Sequence, residues 1–257
     1  CAAPSVDFIA PDLYDDGFKG WTAQYHLHNN PLFIPEIRHT QNNGVRAFYV
    51  FGEHNALGFS PFAIEDGSDE QGTPFVEGYE KLREIMPLVT GWQGKDAMWG
   101  LLFDQNDKER IIEDGSLVLT CRHNFTLPWD PRATDGSVWP EGGGIIIRIA
   151  ENEYIVAGNG IVVEFATASE KAFGKAAESL GEDGFASAGS KGTGTPGRKA
   201  WKGTRCGIGS VDEVKVNADG SFSYIRRLNG DQDHQGRHVR ISVGEYKTLY
   251  VRLYEYQ

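Results

Sequence analysis

Cysteine is scarce in this chain of 257 residues: Cys1, Cys121 and Cys206 are all it holds. Three are too few for a disulfide framework, and none has the paired C-x-x-C spacing of a zinc site. A single Cys121 to Cys206 bridge is conceivable, because both lie in strand-rich sequence. Positive charge is also short. With 25 Lys and Arg against 36 Asp and Glu, the net charge of -11 opposes attraction to nucleic-acid phosphates or an anionic membrane surface. Neutral or cationic substrates are favoured. No apolar run approaches 18 residues, so no helical membrane span is expected, and the first residues lack the basic and apolar parts of a signal peptide. No internal repeat of fixed period is found. What the chain does have is 40% apolar and 12% aromatic residues, enough to bury one large core or two ordinary ones.

Two patterns divide the chain. Three short apolar runs, Val6 to Tyr14, Asn30 to Glu36 and Ala56 to Glu65, alternate with segments of helical period, the β-α-β-α-β order of a parallel barrel. The helices are predicted over Asp15 to His28, with an aromatic stripe of Phe18, Trp21 and Tyr25, over Gly44 to Glu53, and over Thr73 to Val89. After Gly94 the pattern becomes one of short β-branched and aromatic runs separated by turn signals such as Asp219-Gly220 and Asn229-Gly230, which reads as an antiparallel sandwich. A helix over Ser169 to Leu180 and a flexible stretch, Gly181 to Gly197, interrupt it. The expected fold is therefore α/β plus all-β. Residues 1–94 read as the C-terminal part of a (β/α)8 barrel, and residues 95–257 as a β-sandwich. A complete eight-stranded barrel takes roughly 250 residues, so the earlier strands are expected in a preceding fragment or a second chain.

Reactive groups of parallel barrels gather at strand C-termini, and Glu36 closes one such strand. A carboxylate held there could attack an electrophilic carbon or support a developing positive charge; the bland alternative is a helix cap or a surface Glu. Tyr14 ends the strand before it and Asp12 lies two residues earlier, on the same face of a regular strand. Phe59 is a candidate aromatic platform for a ligand. Trp21, Phe62 and Trp92 are weaker ones, since barrel aromatics are more often core. Glu65 is a second carboxylate, read as a loop or helix-cap residue. His26, His28 and His39 lack a third ligand or an acidic cluster, so no metal is expected. Gly189-Ser-Lys-Gly-Thr-Gly-Thr-Pro-Gly197 lacks the phosphate-loop order. Asn124-Phe-Thr126 is a formal glycosylation sequon. Arg226, Arg227, Arg237 and Arg240 are expected to pair with neighbouring carboxylates such as Asp231 and Asp233.

The runs Asp7-Phe-Ile-Ala-Pro-Asp-Leu-Tyr14, Asn30-Pro-Leu-Phe-Ile-Pro-Glu36 and Gly58-Phe-Ser-Pro-Phe-Ala-Ile-Glu65 resemble strands six, seven and eight of glycoside hydrolase family 35, in its microbial β-galactosidase branch. The stretch Arg227-Leu-Asn-Gly-Asp-Gln-Asp-His-Gln-Gly-Arg237 resembles part of the sandwich that follows that barrel. The resemblance implies a retaining exo-β-galactosidase without a cofactor, with Glu36 as nucleophile and Tyr14 as the tyrosine that orients it. Its acid/base glutamate follows an Asn before strand six and has no counterpart here. The sole Asn-Glu pair, Asn152-Glu153, reads as a turn between sandwich strands. Secretion or a periplasmic location fits such an activity. The competing expectation is a non-catalytic carbohydrate-binding or structural sandwich carrying a barrel remnant.

Overall fold

The computed structural model describes residues 5–64, 73–179, 203–228 and 238–257. The first elements alternate as β1 (Asp12–Leu13), α1 (Phe18–Tyr25), β2 (Phe33–Ile37), α2 (Asn43–His54), β3 (Gly58–Pro61) and α3 (Thr73–Trp92). The three strands form one parallel sheet in the order β1-β2-β3. Strand β1 is much shorter than the apolar run that contains it. Pro11 has no N–H to give a ladder, and upstream the Asn30 side chain takes the place of a partner strand. It accepts from the Ile9 amide at 2.8 Å and donates to the Ile9 carbonyl at 2.9 Å.

Beyond Trp92 the described chain is antiparallel sheet with one further helix. Its elements are β4 (Met98–Phe103), β5 (Glu109–Asp114), β6 (Leu117–His123), β7 (Gly142–Ala150), β8 (Glu153–Asn159), β9 (Ile161–Thr167), α4 (Ala168–Ser179), β10 (Arg205–Val216), β11 (Phe222–Arg227), β12 (Val239–Ile241) and β13 (Lys247–Tyr256). Six of these strands pair in the order β11-β10-β13-β8-β7-β4, and four in the order β12-β9-β6-β5. Leu101, Ile146, Val156 and Val251 from the first sheet meet Leu119, Val163, Phe165 and Ile241 from the second in one buried cluster. Alternation along each strand supplies these faces, and each fully buried aliphatic side chain contributes roughly 1.5–3 kcal/mol.

The outer face of the six-stranded sheet is covered too. Ile145, Ile147, Ile155 and Ala157 pack with Val45, Phe48 and Tyr49 of α2, with Leu82, Ile85 and Val89 of α3, and with Leu13, Ile34, Ile37 and Phe59 of the parallel sheet. The helical layer therefore lies between two sheets and shares its core with both. The stripe expected on α1 is only partly inward: Phe18 is buried and Tyr25 half-buried, but Trp21 is 37% exposed. A short helix rolled against one neighbour has room to bury a single row. Among the described residues no helix is long and apolar enough to cross a membrane, and Cys121 and Cys206 are both free thiols. The conceivable bridge between them is not made. Cys121 sits on β6 and Cys206 on β10, in different sheets.

Candidate functional site

In the parallel sheet Asp12 pairs with Glu36 and Leu13 with Ile37. Leu13 and Ile37 point into the helical layer and are buried, so by alternation Asp12 and Glu36 share the opposite face. Tyr14, one residue past β1, returns to that face, and its hydroxyl donates to Glu36 Oε1. Three of the residues singled out in the sequence thus meet at the C-terminal end of two neighbouring strands. Acceptance of its proton by Glu36 pushes the Tyr14 phenol up to about 12, so near neutral pH it remains a donor. Glu36 is half-buried, and Tyr14 is 37% exposed, which leaves the cluster open to a ligand.

A fourth member was not singled out. Arg38 Nη2 donates to the Tyr14 carbonyl, and the Arg38 amide to the Leu13 carbonyl at 3.0 Å, so both the strand and its side chain tie β2 to β1. The buried Asn43 side chain holds the Arg38 carbonyl at 3.0 Å. Arg38 lies two residues after Glu36, so period-two spacing was a signal that could have found it. The group can hold a carboxylate in a fixed direction with a hydroxyl donor on one oxygen, an arrangement suited to nucleophilic attack or charge stabilisation.

Phe59 is not part of this cluster. It is 6% exposed, edge-on to Phe18 at 6.2 Å and tilted against Tyr79 at 6.5 Å, so the fold uses its ring as core and not as a platform. Phe62, by contrast, is 57% exposed, and Trp92 is half-buried with Lys95 Nζ 5.1 Å above its ring. Among the described residues no group of three or more His, Cys, Asp or Glu side chains could hold a metal ion. His26 instead packs against His54 with ring centroids 5.1 Å apart, and His39 against Phe75 at 5.4 Å. Burial pushes His54 down to about 4, so it is neutral at pH 7.

The sequon is closed by the fold, since Asn124 is 4% exposed and its amide donates to the Gly160 carbonyl at 2.8 Å. Asn152 has φ 58° in the turn before β8, and Glu153 accepts from the Tyr250 hydroxyl at 2.5 Å, a structural use of that carboxylate. Arg226 pairs with Glu213 at 2.8 Å and Arg227 with Asp212 at 3.0 Å, both carboxylates of the neighbouring strand β10. Cys1, Glu65, the run Gly189 to Gly197, Asp231, Asp233 and Arg237 lie outside the described residues. The family described as a domain of unknown function (DUF5597) matches residues 75–240. No curated protein matches the chain.

Proposed function

Since the chain belongs to the DUF5597 family, its matched region covering more than half the sequence, we propose its function from its own residues: Glu36 is the nucleophile of a retaining exo-glycosidase of the β-galactosidase type. The single observation that carries this reading is the hydrogen bond from Tyr14 to Glu36 at the mouths of adjacent parallel strands. In a retaining mechanism the carboxylate attacks the anomeric carbon as the leaving oxygen takes a proton from a second carboxylic acid, about 5 to 5.5 Å away, and water then cleaves the glycosyl ester. The Tyr14 hydroxyl directs one Glu36 oxygen away from the sugar, so that the other faces it.

The second carboxyl group, in this reading, comes from strands outside this chain that complete a (β/α)8 barrel around β1, β2 and β3, either in a preceding segment or in a second polypeptide. Two observations support that completion. Strands β1 and β3 have no further partner among the described residues, and Phe8, Ile9, Leu57, Phe62 and Ile64 are large apolar side chains left 40–62% exposed around the sheet. Such edges and patches are ordinarily covered. The substrate is a neutral β-galactoside, consistent with the net negative charge, and secretion or a periplasmic location would bring the enzyme to it.

The direct test is covalent trapping. With a 2-fluoro β-galactoside carrying a good leaving group, the completed protein is expected to gain the mass of one fluorosugar, and peptide mapping should place it on Glu36. Label on another carboxylate would remove Glu36 from this role. A Tyr14→Phe substitution is expected to lower kcat roughly 10- to 100-fold with a smaller change in KM, because it removes orientation and not sugar contacts. An unchanged kcat would leave Tyr14 a merely structural neighbour.

A further inference from the structure

The two ends of the six-stranded sheet are used differently. At the end where β7 begins, Arg46 of α2 grips Glu141 as a fork, with Nε to Oε2 at 2.7 Å and Nη2 to Oε1 at 2.6 Å, and ties the sheet to the helical layer. At the opposite end β13 outruns its neighbour. Its ladder with β8 stops at Arg252 and Glu153, while its ladder with β10 continues through Tyr254 and Gly207 to Tyr256 and Arg205. Among the described residues, then, the end of β13 has only β10 beside it. Tyr250 is the last β13 residue packed against the core shared with the helices. By alternation Arg252, Tyr254 and Tyr256 continue its row on the outer face, where Tyr254 is 50% and Tyr256 42% exposed.

Tyr254 lies down on backbone. A Cβ added to Gly207 would stand 2.5 Å from its Cζ and 2.8 Å from its hydroxyl oxygen, and one added to Gly209 would stand 3.4 Å from its Cδ1. The ring therefore runs along β10 past two glycines, which permit so close an approach, and its other face is turned to water. Tyr256 follows with its ring centroid 5.5 Å away and its plane tilted by 34°, so the two faces form a shallow trough. At the head of the trough Arg252 is fixed, with Nε donating to Ser210 Oγ and Nη2 to Asp212 Oδ2, both at 2.8 Å.

We propose that this trough binds neutral β-linked hexose oligosaccharides, a function that does not depend on the glycosidase reading. A pyranose with equatorial hydroxyls has a flat face of C–H groups and a polar rim. The exposed ring faces take the first out of water, and the tyrosine hydroxyls and the Arg252 guanidinium meet the second. The tilt between the rings suits successive sugars of a twisted chain. Nucleic-acid bases also stack on tyrosine, but they would bring phosphates to a chain of net charge -11, at a place where Arg252 is already paired with Asp212 and Glu255 adds a further carboxylate. A peptide that added a strand to the edge of β10 or β13 would take backbone groups and leave the ring faces bare.

The test is calorimetric titration of the completed protein carrying Glu36→Gln with cellohexaose and with a β-linked galactohexaose. At least one of them is expected to bind, and Tyr254→Ala to weaken that binding about 10-fold or more, the loss of a main stacking contact. Gly207→Val keeps both tyrosines but pushes the Tyr254 ring off the strand, and should weaken binding to a similar extent. Tyr254→Phe keeps the ring and should hold Kd within about 2-fold. Melting profiles of the three variants check that the sheet is intact. Failure of both oligosaccharides to bind overturns the proposal, as does binding that is unchanged in both Tyr254→Ala and Gly207→Val. Tighter binding of an oligothymidylate would give the trough to nucleic acid, and a dimer in sedimentation that Tyr254→Ala dissolves would give it to a second copy of the chain; either result overturns the oligosaccharide. If the sugar binds as expected but Glu36 is never trapped, the trough stands and the nucleophile assignment falls.

Discussion

On the proposed glycosidase reading, Glu36→Ala is expected to reduce turnover of aryl β-galactosides by about 10⁴-fold or more in the completed protein, because it removes the carboxylate assigned to form the glycosyl ester. The fold should survive. Glu36 is half-buried with its side chain held by Tyr14 alone among the described residues, so circular dichroism and the melting profile should match the parent. Added azide is then expected to restore product formation, since a small anion fits where the carboxylate stood. It attacks the face that Glu36 attacked, so the product of a β-galactoside should be the α-galactosyl azide. A β-configured azide would instead assign Glu36 the acid/base role, and no rescue at all with a parent-like residual rate would remove it from the chemistry. The sugar configuration is read by proton coupling constants, independently of any rate.

Gly100→Ala is expected to destabilise the chain by about 3 kcal/mol, the upper end of the usual cost of overpacking, because the added methyl meets backbone. Helix α2 crosses β4 at this point with almost no space. A Cβ on Gly100 would lie 2.2 Å from the Tyr49 carbonyl oxygen and 2.8 Å from the Glu53 nitrogen, and one on Gly52 would come within 2.9 Å of the Gly100 backbone. The seam is also closed by polar groups. Glu53 accepts from Arg110 at 2.5 Å and from the Gly100 amide at 3.3 Å, and Arg110 donates to the Gly100 carbonyl at 2.6 Å. A methyl group that lifts the helix strains these bonds as well as the apolar contacts. Gly91→Ala is the control, because nothing lies within 4 Å of its added Cβ and alanine is favoured over glycine in the last turn of α3 by a few tenths up to about 1 kcal/mol. Urea midpoints for the two variants should move in opposite directions. Equal midpoints for Gly100→Ala and the parent would mean that the helix can shift at no cost.

Much of this arrangement could be read in the residues, and the failures have identifiable causes. Runs of large apolar residues such as Met98–Phe103 and Ile161 to Ala166 declared themselves because each is buried on at least one face. Strand β5 did not: Glu109–Asp114 carries only Ile111 and Ile112 among charged residues, a pattern that suits an edge strand next to solvent and looks like a loop in isolation. The apolar run ending at Tyr14 suggested a long strand, but an Asn side chain and Pro11 cut it to two residues. At the site, Glu36, Tyr14 and Asp12 were legible because strand alternation and neighbouring register are local rules. Phe59 was misjudged since alternation says which face a ring takes but not which face is covered. Arg46 and Glu141 were invisible as a pair, being separated by 95 positions and joined only when the sandwich folds back onto the first turn of α2.

Residues 93–97 connect the helical layer to the first sandwich strand, and in the sequence they look like a joint between two bodies. The common core on either side of α2 denies that joint any freedom. A swing of the sandwich over Glu36 would have to pull Phe48 and Tyr49 away from Ile145 and Ile147 and part the Arg46 fork from Glu141. The sandwich is thus a fixed abutment with no axis to turn on. Any movement at this end of the parallel sheet falls to the short loops after β1 and β2, which the bond from Arg38 to the Tyr14 carbonyl ties together, so a ligand would meet a standing opening.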